Sequence, residues 1–421
     1  MMNRSRNLAA AQIDRLTADL HALAEFVDAS MPGWTRRALA EPYRESRSWV
    51  AALMKSAGLE VSRDKAGNIL GRLPGQGSRP GALVTGSHTD SVVGGGRFDG
   101  ICGVLGAIEA ARCLQESGVQ LVHDLLVVDF FGEETNDFGF GCFGSRAAAE
   151  GIPESFLDRR DQDDVPLHER LAVDGIDPGE IGTPVWVPGT VKAFVELHVE
   201  QGPTLAEQNL PIGVVTAITG IERLIARFLG RADHAGTRAM TDRRDAMVAA
   251  AQAVLAIQRT GCEAPVHGVA TTTKVENANP SPNVVASRVT LQSELRSIDA
   301  SWLHGARRRV SEQILEAAQA CGVDVEVDWS TDNEVVPTDL VVQDTTAGVL
   351  DGLGIPWMPI PSGATHDAVH MATLAPAGMI FIPSRNGGIS HSPDEWTDAQ
   401  DIATGVDALA ATLVALDRTV A

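Results

Sequence analysis

A mostly parallel α/β domain interrupted by an inserted, ferredoxin-like α+β domain is the fold class this sequence predicts. Three observations predict it. Short apolar runs alternate with helical stretches through the first half of the chain, the order near Pro211 switches to strand, helix, strand, strand, helix, strand, and the alternation returns after about residue 330. The first pattern suits a parallel sheet, whose crossover helices cover both faces and leave its strands apolar throughout.

Along the chain, Leu16, Leu20, Leu23 and Phe26, then Val50, Leu53 and Met54, recur at helical spacing, so two helices occupy residues 11 to 59. "GALVTGSH" (81 to 88), "DLLVVDFF" (124 to 131) and "VKAFVELHVEQG" (191 to 202) read as strands, with the helix "GVLGAIEAARCLQESG" (103 to 118) after the first. Residues 148 to 190 are rich in Asp, Pro and Gly and hold one or two helices at most. Then come the strand "PIGVVTAITGIERLIARFLG", the helix "DRRDAMVAAAQAVLAIQRT", the strands "GVATTTKVENA" and "NVVASRVTLQSELRS", the helix "ASWLHGARRRVSEQILEAAQAC" and the strand "VDVEVDW". The strand "AGMIFIP" and a helix from Ala399 to Leu416 close the chain. The boundaries drawn on this basis are 1–211 plus 329–421 for a discontinuous catalytic domain and 212–328 for the insert.

The 421 residues, 44% of them apolar, can bury two separate cores. A formal charge of −21 repels nucleic acid and anionic membranes, and no basic run compensates it. No apolar run approaches the roughly 18 residues of a membrane span, and the first residues are amphipathic, so a cytoplasmic protein is expected. Five scattered cysteines without CxxC spacing read as reduced, buried thiols. The expected partners are a small molecule and a second copy of the chain.

Ligands of open parallel sheets bind beyond the carboxyl ends of the strands. Polar residues gather there. His88 ends one strand, the adjacent acids Glu133 and Glu134 follow a second, His198 ends a third, and His391 comes soon after a fourth; the loop past His88 adds Asp90 and, after three glycines, Asp99. A lone strand-end His is more often a structural hydrogen bonder, but three imidazoles with carboxylates at one end of a sheet make a ligand set for Zn, Mn, Co or Ni. A cation there would also explain two neighbouring acids with no local basic residue.

"GSHTDSVVGGGRFDG", "EE", "ELHVEQGP", "RADHAGTRAM", "NPSPNVV" followed by "ELR", and "ISHSPDEW" occur in this order over nearly the whole chain. Together they resemble the M20 amidohydrolases of the hydantoinase/carbamoylase group, which include N-carbamoyl-L-amino acid hydrolases, allantoate amidohydrolase and β-ureidopropionase. The resemblance implies two divalent ions per subunit, zinc first among the candidates. Asp99 would bridge them, His88 and His198 completing one site and Glu134 and His391 the other. Asp90 would accept a hydrogen bond from an imidazole N–H and fix its tautomer. Glu133 would be the general base for the attacking water, and His234 would stabilise the oxyanion. Gln201 would contact the ureido group, while Asn283, Arg296 and the backbone of Gly363 and Ala364 would hold a substrate carboxylate. His366 is either a substrate contact or a loop-fixing residue. The insert would be a dimerising lid, giving a homodimer. The reaction implied is hydrolysis of the ureido C–N bond of an N-carbamoyl amino acid or related ureido acid. An N-acyl amino acid hydrolase is the alternative with the same machinery, and a catalytically silent binding protein a remoter one. Two departures bear on substrate: Thr135, Asn136, Asp137 and Phe138 replace a usual Gly-x-Arg-Phe, and Thr365 replaces a usual glycine, changes expected to alter pocket shape and charge.

Overall fold

The computed structural model describes residues 8–77 and 79–420. The chain forms two compact units. The larger runs to Thr216 and takes up Thr338–Ser362 and the chain from His366 onward; the smaller holds Ala217–Pro337 and Gly363–Thr365.

In the larger unit the strands come as β1 (Glu60–Arg63), β2 (Ile69–Leu73), β3 (Ala82–His88), β4 (Asp124–Phe130) and β5 (Val191–Val199), and β6 (Ile212–Ile218) runs across the boundary at Thr216. The smaller unit contributes β7 (Gly220–Leu229), β8 (Val269–Asn277), β9 (Arg288–Ser297) and β10 (Asp324–Asn333), followed by the short β11 (Val336–Pro337). β12 (Trp357–Ser362) and β13 (Ala377–Ile382) then belong to the larger sheet. Its order is β1-β2-β4-β3-β5-β13-β6-β11, with β12 also pairing β6. The four central strands β4, β3, β5 and β13 are mutually parallel, and the flanking pairs are antiparallel. The expected parallel sheet is therefore its middle. Helices Ile13–Ala24, Ile101–Glu116 and Ala399–Thr419 join β3, β4, β5 and β13 in one apolar core. Helix Ala399–Thr419 is long and apolar enough to cross a membrane by composition, but most of it is buried in that core.

The smaller unit has the order β-α-β-β-α-β and a purely antiparallel sheet β10-β7-β9-β8 backed by helices Ala246–Cys262 and Ala300–Ala320, the ferredoxin-like arrangement. Asp245 and Asp299 cap the two helices through their carboxylates, accepting N–H bonds of the first turn.

Two sequence-drawn features change. The apolar run 211 to 230 is two strands broken at Thr219, because Gly213 pairs with Phe381 in the larger sheet whereas Gly220 to Leu229 pair with β9 and β10. The boundaries move with it, since β6 continues past 212 and β10 runs to Asn333, beyond 328. The thiols differ too: Cys102, Cys113 and Cys142 are buried, but Cys262 is exposed and Cys321 half-buried, both at surface-facing helix ends.

Helix Glu41–Ser56 braces the end of β4. Buried Arg47 donates to the Tyr43 hydroxyl (2.7 Å) and the Gly67 carbonyl (2.6 Å), with Asp129 3.7 Å from its Nε. The Gly132 N–H donates to the same hydroxyl at 2.9 Å, immediately before the two glutamates. Tyr43→Phe should therefore lower unfolding stability by about 1–3 kcal/mol, because a buried N–H and a guanidinium lose their acceptor. A urea titration matching wild type would remove this brace from the account.

Candidate functional site

Parallel register sets the site. β3 and β4 pair His88 with Phe130, so the chain leaves both strands at the same edge, and His198 lies opposite Phe381 on β13. His88, Glu133, Glu134 and His198 are buried, and His391, in the loop after β13, is half-exposed.

Asp99 is the centre. Its Oδ1 lies 3.2 Å from His198 Nε2 and 3.8 Å from His88 Nε2, and its Oδ2 lies 3.3 Å from His391 Nε2, itself 3.6 Å from Glu134 Oε1. One carboxylate thus faces two donor groups, His88 with His198 and Glu134 with His391, each with its donor atoms within 4.8 Å of one another. Gly100, at φ +67°, is required beside it: a Cβ there would sit 2.4 Å from the His88 ring. Gln201 donates to Asp99 Oδ2 at 2.6 Å while its own Oε1 is buried without a hydrogen-bond partner among the described residues. Cys142, Gln201 and His391 all adopt left-handed backbone at φ 53°, 56° and 53°. Such conformations cost a non-glycine residue about 1–2 kcal/mol and gather at functional sites.

Glu133 lies beside these donors, its Oε2 3.5 Å from His88 Nε2 and its Oε1 accepting the Cys142 thiol at 3.2 Å. Burial pushes the Glu133 carboxyl well above the ordinary carboxylate range, with His88 opposing and Asp367 and Glu134 adding. Glu134 is pushed up to about 7 by burial and the charge of Asp99. Burial opposes charge on His88, yet Glu133, Asp90 and Asp99 around it hold the imidazole well above its usual value. Asp99 hydrogen bonding raises His391 to about 9. Protons and metal ions compete for the same lone pairs, and this set of imidazoles and carboxylates fits divalent ions of the zinc type. Among the described residues, Asp99 and Glu134 form ion pairs only with these imidazoles.

Asp90 faces the His88 imidazole, as the resemblance implied, and also holds two backbone amides. Its carboxylate accepts the backbone N–H groups of Glu133 (3.1 Å) and Glu134 (3.0 Å), and its backbone carbonyl is what lies within 3.2 Å of His88 Nδ1, the nearer side-chain oxygen being 3.5 Å away. Two adjacent amides projecting from the strand end take both its oxygens, so Asp90 orients the glutamates. His366 is fully buried, hydrogen-bonded through Nε2 to Ser362 (2.9 Å) and edge-on to His198 with centroids 4.5 Å apart. Burial and the neighbouring His198 hold its pKa well below the usual value, so it packs as a neutral ring.

Sequence reasoning missed Glu196, whose oxygens accept Ser87 Oγ (2.7 Å) and the Ala368 N–H (3.2 Å), and Glu395, which accepts the N–H groups of Phe98 and Asp99. Their positions inside "ELHVEQGP" and "ISHSPDEW" were the available signal.

In the smaller unit His234 and Asn283 are exposed on adjoining segments, linked by the bridge His234↔Val284 and the Ala235 N–H bond to the Asn283 carbonyl (2.8 Å). Arg296 pairs with Glu294 (2.9 Å) and donates to the Gly363 carbonyl (3.2 Å). Gly363 and Ala364, drawn into the catalytic domain from sequence, group here because Thr365 Oγ1 bonds Asn333 Oδ1 (2.8 Å) and Arg296 reaches Gly363. The unusual Asp137 is met by Arg37, whose Nη1 lies 2.9 Å from both carboxylate oxygens.

Residues 80–415 match the profile of peptidase family M20/M25/M40. The N-carbamoyl-L-amino acid amidohydrolase of Geobacillus stearothermophilus is 37% identical over 406 residues, covering 94% of this chain and 97% of that protein. The ureidoglycolate hydrolase of Oryza sativa subsp. japonica is 33% identical over 410 residues, 96% of this chain and 84% of that protein. A crystal structure of a hydantoinase/carbamoylase family amidase from Burkholderia multivorans aligns with a TM-score of 0.85 at 30% identity, over 97% of this chain and 98% of that one.

Proposed function

We propose that this chain, which belongs to peptidase family M20/M25/M40, cleaves the carbamoyl C–N bond of an N-carbamoyl-L-amino acid or a related ureido acid, with Glu133 as general base. It is an amidohydrolase acting on C–N bonds in linear amides, as its curated relatives are. The observation that carries the finer reading is Asp99 presenting one oxygen to His88 and His198 and the other to His391 beside Glu134.

These five residues would hold two divalent ions, zinc or alternatively manganese, cobalt or nickel. Bound ions supply Lewis-acid polarisation of the substrate carbonyl and acidify a water. Glu133 would take a proton from the water that attacks the carbonyl carbon and return it to the departing nitrogen as the C–N bond breaks. The carbamate released falls apart to carbon dioxide and ammonia. Gln201 would bind the ureido group, His234 would stabilise the oxyanion, and Asn283, Arg296 and the backbone of Gly363 and Ala364 would take the substrate carboxylate.

The test is ammonia release by metal-reconstituted protein from N-carbamoyl amino acids and allantoate, beside N-acyl amino acids that yield none. Turnover of the acyl compounds alone would overturn the carbamoyl assignment. Arg296→Ala should raise KM about 10–100-fold with a smaller change in kcat, the loss of a charge-assisted pair of hydrogen bonds. An unchanged KM would leave Arg296 as no more than the partner of Glu294.

We also propose a homodimer formed through the smaller unit, in the cytoplasm. Exposed Met247, Val248 and Leu255 on helix Ala246–Cys262 and Val269 and Val275 on the edge strand β8 support it. Light scattering should give a dimer for the wild type and a monomer for Leu255→Asp; a monomeric wild type would end this reading.

A further inference from the structure

We propose that Glu395 is a positioning residue for the metal centre, fixing the loop that carries Asp99 against the loop that carries His391. The inference rests on the metal-centre reading above and extends it to a residue that touches neither substrate nor ion.

Glu395 is 3% exposed, and both its oxygens are engaged. Oε1 accepts the backbone N–H groups of Phe98 (2.8 Å) and Asp99 (3.0 Å), so one oxygen sets the backbone from which the central carboxylate projects. Oε2 lies 3.0 Å from Ser390 Oγ, the residue before His391, and the same hydroxyl lies 3.0 Å from Asp99 Oδ2. The Ser390 hydroxyl sits 3.0 Å from both carboxylates and can give its one proton to either, so it ties Glu395 and Asp99 together and joins two loops distant in sequence. Gly96 makes room for it, since a Cβ there would fall 2.5 Å from the Glu395 side chain. A buried acid serving only to satisfy local amides would not need a second link to the side chain of Asp99. With Glu395 in place, Asp99 is held with its two oxygens divided between the donor groups before any ion arrives. Outer partners of this kind typically change metal affinity by about 10–100-fold when removed.

The experiment is calorimetric titration of chelator-stripped full-length protein with Zn2+ and, separately, Mn2+, below the melting temperature of each variant. Glu395→Ala should weaken binding of at least one ion by about 10–100-fold. Glu395→Gln, which keeps an acceptor for the two amides and a donor toward Ser390, should recover most of that loss. Gly96→Ala, which displaces Glu395 without deleting it, should weaken binding in the same direction and serves if Glu395→Ala does not fold. The visible absorption of Co2+-loaded protein should shift in Glu395→Ala and return toward wild type in Glu395→Gln, a change that simple destabilisation does not produce. Asp99→Asn is titrated alongside. If Asp99→Asn loses binding while Glu395→Ala and Gly96→Ala bind as wild type, the positioning role is overturned. If Asp99→Asn itself binds as wild type, the metal-centre reading falls instead.

Discussion

Glu133→Gln is expected to lower kcat by about 10²–10⁴, the usual contribution of a positioned general base. The substitution keeps the shape of the side chain and leaves the backbone N–H that Asp90 holds at 3.1 Å. It also leaves all five proposed ligands untouched, so metal content and KM should stay near wild type. The Cys142 thiol can donate to the amide oxygen as it does to Glu133 Oε1. What disappears is the lone pair that takes a proton from water and gives it to nitrogen. Single-turnover kinetics on an N-carbamoyl amino acid would isolate that step, and full turnover by Glu133→Gln would sink the assignment.

Asp99→Asn should do still more damage, because it acts on both donor groups at once. An amide offers one neutral oxygen where the carboxylate presents Oδ1 3.2 Å from His198 and Oδ2 3.3 Å from His391. Elemental analysis after reconstitution should fall below about one ion per chain, and turnover should drop by more than about 10³-fold, since base and nucleophile both depend on the ions. Two ions per chain with intact activity would rule out Asp99 as the bridge. The two substitutions also separate from one another: Glu133→Gln should lose rate with metal retained, whereas Asp99→Asn should lose both.

The donor residues were legible because strand-end His and acidic residues fall on a parallel sheet whose register brings those ends together. Residue type and position carried the information. The partners of those metal-facing residues were less visible for a physical reason: Asp90 and Glu395 accept from backbone N–H groups, which every residue but proline possesses, so nothing in the donating residue's identity marks the bond. The resemblance pointed Asp90 at the His88 imidazole, 3.5 Å from its carboxylate, but gave no sign of the Glu133 and Glu134 amides that the same carboxylate accepts. The ferredoxin-like order was readable from alternating periods, as in the β9 run Arg288–Ser297, whose residues alternate between the core and the other face. The break at Thr219 was not, because Ile212 to Leu229 keep strand-like composition throughout while serving two sheets. Asp137 pairs with Arg37, a hundred positions earlier. Long-range pairing of that kind leaves no local trace.

The strand that leads into the smaller unit and the one that leads out of it are neighbours: Ile218 on β6 pairs with Val336 on β11, and Ala217 with Pro337. A segment whose two ends are already side by side asks little of its host, since the entropy of closing a chain grows only with the logarithm of the length between the closure points. The long excursion from Ile218 to Val336 therefore adds little closure cost to the chain that carries it.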